Sequence, residues 1–162
     1  MVKQYLQPFA IACMQVFKNF VGAELVAERS YLFDQAVITG WDLFAMIGFS
    51  GGARGAVVIS MKKELAFKLA HRFTGRSYTA MDDDVTDTIG EIVNIIAGNV
   101  KRGSIEQLQL RLSPPTIIRG SGHSISWLAG GDPIVSIPFK IYEHEIFMLS
   151  VTLEKKGAEH DP

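Results

Sequence analysis

Between Asp82 and Arg102 the apolar residues Ile89, Ile92, Val93, Ile96 and Val100 recur at steps of three and four. That spacing gathers them on one side of a helix with 3.6 residues per turn. Asp82, Asp83 and Asp84 stand just before the run. They supply cap oxygens for the free N–H groups of a first turn, and negative charge where the helix dipole favours it. The spacing predicts a helix from about Val85 to Arg102, one of whose sides must be covered by other elements.

The rest of the chain supplies that cover. Pro8 suits the first turn of a helix, and Phe9, Ala12, Cys13, Val16, Phe17 and Phe20 follow on one helical face, with Gly22 as a stop. From Glu24 to Ile59, short apolar runs separated by polar breaks, with a turn at Gly51-Gly52, predict two or three antiparallel strands. Ser60 is placed to cap a helix whose stripe is Leu65, Ala66, Leu69, Ala70 and Phe73, ending at Gly75. Leu108, Leu110 and Leu112 alternate as in a half-buried strand that Pro114-Pro115 breaks. Thr116-Ile117-Ile118 then runs into the loop Gly120-Ser121-Gly122, and two strands are expected from Pro133 to Leu153 around Glu143-His144. Helix, strands, two helices, strands is the order of an α+β fold, with helices packed on a mainly antiparallel sheet. The chain of 162 residues suits one domain, placed at 1–155, with a polar tail at 156–162.

Several function classes are disfavoured. A net charge of −1 lacks the basic excess of a nucleic-acid binder and gives no attraction to an anionic membrane. No signal peptide is seen and no apolar run approaches the ~20 residues of a membrane span, so a cytoplasmic protein is expected. The single cysteine, Cys13, cannot form an intramolecular disulfide and reads as a small buried hydrophobe. His71, His123, His144 and His160 show no metal-ligand spacing, so no metal is expected on this chain. Ser121-Gly122-His123-Ser124 lacks the Gly-x-Ser-x-Gly elbow, and Gly51-Gly52-Ala53-Arg54-Gly55 lacks the end of a phosphate loop.

The polar side of the Val85–Arg102 helix is the informative one. Three helical steps bring Glu91 and Asn94 within about 60° of each other around the axis. Asp87 and Gly98 fall on the same stripe, so one face reads acid, acid, amide, no side chain. Asn and Gly are poor helix formers, Gly by about 1 kcal/mol relative to Ala. A merely solvated face would use Lys, Glu or Gln. On the residues alone two readings stand: a docking face that a partner backbone approaches over Gly98, or Asn94 bonded within its own domain and Gly98 permitting a close crossing.

Glu91-x-x-Asn94 followed by Ile95-Ile96-Ala97-Gly98-Asn99 resembles the signature of the CheC, CheX and FliY phosphatases. Pro8-Phe9, Leu112-Ser113-Pro114-Pro115-Thr116 and the closing strands near Pro133 extend the likeness over most of the chain, and Asp87 to Lys101 is its most specific part. CheC-type members carry two such motifs. The first helix here, around Gln15, Lys18 and Asn19, has none, so the single motif on the later helix pair is similar to CheX. The resemblance implies a CheC-like α+β fold and a homodimer. It also implies hydrolysis of the aspartyl phosphate on a CheY-like response-regulator receiver in chemotaxis or related two-component signalling. In that role Asn94 orients the attacking water and Glu91 anchors the receiver's lysine, while Asp87, Gly98 and Asn99 are candidates for the contact surface. Mg²⁺ would belong to the receiver and no cofactor to this chain. The alternative is a non-catalytic receiver-binding or switch-complex module on the same fold.

Overall fold

The longest β-forming runs lie at the centre of the sheet. In the computed structural model, which describes residues 2–33, 37–103, 105–126, 134–155 and 157, Leu43–Ser50 (β4) and Ala53–Met61 (β5) form an antiparallel hairpin through Gly51-Gly52. Glu145–Lys155 (β10) pairs with the other edge of β5, and Ile134–Ile141 (β9) pairs with β10. Shorter strands complete the edges. Leu25–Ala27 (β1) and Tyr31–Phe33 (β2) both join β9, while Arg111–Leu112 (β6) and Thr116–Arg119 (β7) both join β4. Every pairing is antiparallel, in the order β1-β9-β10-β5-β4-β6. Val37–Thr39 (β3) and Ser124–Ser126 (β8) make a separate two-stranded sheet.

Strand side chains alternate between faces. Leu43, Ala45, Ile47 and Phe49 of β4, Val57, Ile59 and Met61 of β5, and Phe147, Leu149, Val151 and Leu153 of β10 are buried in the main core. Three helices cover it: Val2–Val16 (α1), continued by a π-helical turn at Phe17–Val21, Lys63–Thr74 (α2), and Asp83–Arg102 (α3). Phe9 meets Phe49 at 5.5 Å, and Phe17 stacks on Phe147 at 4.9 Å. α3 packs on β4 and β5 with α1 and α2 against it. Ile89, Ile92, Val93, Ile96 and Val100 of α3 are all buried. Each contributes about 1.5–3 kcal/mol, which outweighs the ~1 kcal/mol that each helical glycine costs. On the other face Phe44, Val58 and Ile134 form a small second cluster. There the buried Ser136 and Ser150 hydroxyls satisfy each other at 2.6 Å.

Asp82 caps α3 as expected, its Oδ1 accepting from the Val85 N–H at 3.1 Å. Other expectations are corrected. Pro8 lies inside α1, which begins at Val2. Burial of Tyr5 and Leu6, one turn before Phe9, offsets the backbone bond that proline removes. Ser60 does not cap α2, because it is a buried residue of β5. Asp42 does so across the chain, its Oδ2 accepting from the Lys63 N–H at 3.0 Å. Among the described residues, five strands, not two or three, lie between Leu25 and Met61. Phe20 and Phe73 sit on expected apolar faces yet are exposed.

Leu108 and Leu110 are buried as anticipated, but not in a strand. Glu106–Leu108 is a 3₁₀ turn and Gln109 is left-handed, with φ 46°. The turn is seated on the hairpin glycines. Gly52 N–H donates to the Leu108 carbonyl at 3.0 Å, and a Cβ on Gly51 would lie 2.5 Å from the Gln109 carbonyl oxygen. Of the polar tail 156–162, all but Gly157 lies outside the described residues, as do His160 and Pro133.

Candidate active site

α3 is fixed before its polar face is presented. At its start the Arg119 guanidinium of β7 donates to the Met81 carbonyl at 3.1 Å and pairs with Asp83 at 3.4 Å. The Tyr78 hydroxyl bonds Thr74 at 2.8 Å and Asp84 at 3.2 Å, which ties α2 to α3. At Gly90 the helix meets Pro115 and Ile117, at 3.6 and 3.4 Å from where a Cβ would stand. Pro115 and Ile117 therefore brace the flank of the motif helix, one turn before Asn94. Ser113 secures their segment in turn, its Oγ accepting from the Gly48 N–H at 2.9 Å.

The face that remains carries the residues anticipated from spacing. Asp87, Glu91 and Asn94 are exposed. Among the described residues, neither Glu91 nor Asn94 has a hydrogen-bond or ion-pair partner. The reading in which Asn94 bonds within its own domain has no support in these contacts. Two polar groups one turn apart, on one helix, thus face outward from the chain.

Gly98 lies on the same stripe but is buried. What covers it is Arg102, whose Nη1 and Nη2 would lie 3.4 and 3.6 Å from a Cβ at Gly98. The same guanidinium donates to Asn99 Oδ1 at 3.0 Å. Asn99, half-buried, thus holds Arg102 beside the stripe. Arg102 was missed from the sequence. Its four-residue spacing from Gly98 and the lean of long helical side chains toward the N-terminus were the available signals.

A surface groove of about 450 Å³, lined by Phe67, Lys68, His71, Arg72, Tyr78 and Tyr142, contains none of the residues on this stripe. Among the described residues, no three His, Cys, Asp or Glu side chains gather as metal ligands, and no helix is long and apolar enough to cross a membrane. Cys13 is buried in the core, and burial pushes its thiol pKa upward, which removes it as a nucleophile.

Comparison with known proteins gives a consistent result. The family model described as chemotaxis phosphatase CheX matches residues 43–140, which includes all of α3. The chemotaxis protein CheX of Desulfovibrio desulfuricans is 26% identical, with a TM-score of 0.82 over 93% of this chain and 99% of that one. CheX of Vibrio vulnificus is 25% identical, with the same score and the same coverage of both chains. A CheX–CheY–BeF₃–Mg²⁺ complex from Borrelia burgdorferi shares the fold at 22% identity and TM-score 0.76, over 93% of this chain and 98% of that one. No curated protein matches the chain.

Proposed function

We propose a function from one premise: this chain belongs to the chemotaxis phosphatase CheX family. The proposed reaction is hydrolysis of the aspartyl phosphate on a CheY-like receiver domain. The observation that carries it is the pair Glu91 and Asn94, exposed together on α3 with no internal partner among the described residues. A CheY partner is supported by the Borrelia burgdorferi complex.

An acyl phosphate is already reactive, so the catalyst has little bond chemistry to supply. Water attacks phosphorus, the bond to the aspartyl oxygen breaks, and inorganic phosphate and a free carboxylate result. Catalysis here is the placement of one water in line with the leaving oxygen. The Asn94 carboxamide offers an acceptor and two donors, so it holds that water in one orientation without acting as a base. A hundredfold acceleration requires only ~2.7 kcal/mol. Glu91, about 4.5 Å earlier along the axis, pairs with the receiver's lysine and sets where the amide arrives. Mg²⁺ is the receiver's own in this reading, and the active protein is a homodimer, as the resemblance implies.

The test is phosphate release from a receiver phosphorylated by a small-molecule donor in Mg²⁺. Wild type should accelerate release, and Asn94→Ala should lose on the order of a hundredfold while still binding. Binding without acceleration by wild type would move the assignment to a non-catalytic receiver-binding module.

A further inference from the structure

We propose that Arg102 is a second docking residue, which pairs with a carboxylate on the receiver surface and fixes the direction in which α3 lies across the phosphorylation site. The inference rests on the phosphatase reading above and extends its partner contact to a charge of the opposite sign.

Viewed down α3, Asp87, Glu91, Asn94, Gly98 and Arg102 fall within about 80° of one another. Negative charge stands at one end of this stripe and a guanidinium at the other, with the amide between. Glu91 and Arg102 are both exposed, and among the described residues neither has an oppositely charged partner. The guanidinium is also held in place. It lies back over Gly98, where a larger side chain would occupy its seat, and it donates to Asn99 Oδ1. Gly98 is about 6 Å along the axis from Asn94, so the guanidinium sits one turn beyond the amide, on the side away from Glu91.

A basic residue in the last turn also complements the helix dipole, and a lysine would serve that purpose equally. A guanidinium seated on glycine and steered by an amide has its fork held ready. That fork matches a carboxylate with two parallel hydrogen bonds. A single contact at Glu91 leaves the helix free to swing about it. A second contact of opposite sign, with Asn94 between, removes that freedom and excludes the reversed orientation, in which like charges would meet.

The experiment measures receiver affinity and turnover together, using the full-length protein and a receiver held in its activated form with beryllofluoride and Mg²⁺. Arg102→Ala should raise Kd and KM about fivefold, with turnover at saturating receiver near wild type. Arg102→Lys should recover only part of the loss. Raising the salt should narrow the gap between wild type and Arg102→Ala. An unchanged Kd for Arg102→Ala would overturn the proposal, whether or not its melting temperature falls. A loss of turnover at unchanged Kd would also overturn it, because the guanidinium would then act on the phosphoryl group. If wild type binds and turns over the receiver, Asn94→Ala only binds, and Arg102→Ala matches wild type, the docking inference alone fails. If wild type does not bind any receiver, the phosphatase reading fails with it.

Discussion

Glu91 and Asn94 differ in what their replacement should change. Glu91→Gln keeps the size and removes the charge, so receiver affinity should fall about fivefold, read as Kd by titration. Asn94→Asp keeps the acceptor, loses the donors and adds a charge facing a phosphoryl group. Turnover should fall at least as far as in Asn94→Ala, read by single-turnover phosphate release. Gly98→Ala places a methyl group 3.4 Å from the nearest Arg102 nitrogen, an ordinary contact. It should therefore stabilise α3 by up to about 1 kcal/mol, seen as a raised melting temperature with docking retained. At this scale the acid–acid–amide stripe was legible in the sequence because helical period alone assigns it. The seat of Arg102 was not, because the pose of a long side chain depends on what lies beneath it.

Helix ends are set by capping groups, and their legibility depends on distance along the chain. Asp82 caps α3 from three residues away and could be read directly. Asp42 caps α2 from 21 residues away, which no local pattern reveals. Each substitution, Asp82→Ala and Asp42→Ala, should cost about 1 kcal/mol, measured by denaturant unfolding. Both should leave phosphate release per folded molecule unchanged. The alternation of Leu108, Leu110 and Leu112 suggested a strand because it reports burial. Yet the backbone there bends at Gln109 to reach the glycine hairpin, where Gly52 bonds Leu108 from 56 residues away in the chain. Pro8 misled for a related reason: local preference marked a helix start, and the burial of Tyr5 and Leu6 carried the helix through it.

For the whole molecule, the grouping of helices between runs of strands gave the α+β class. The order of the strands was not legible, since β9 and β10 from the end of the chain lie between β1 and β5. Cys13 reports on the integrity of this arrangement. It lies on the buried face of α1, with a thiol that burial keeps protonated well above the usual range. A water-soluble thiol reagent should leave it unmodified in the native protein and modify it as the core opens, so labelling should track global unfolding. Modification at an unchanged native circular dichroism signal would instead show local opening of α1.

Glu91 and Asn94 stand on the outward side of a braced helix, outside the groove at Phe67 and Tyr142. A small acyl phosphate drifting in solution finds nothing there to hold it in register with the amide. Acetyl phosphate should therefore keep its ordinary lifetime beside this protein, while the receiver loses its phosphoryl group quickly. If the proposed reaction is this chain's, discrimination among the reactive phosphates of a cell is settled by which surface fits the helix, and the reaction vessel exists only for as long as two proteins touch.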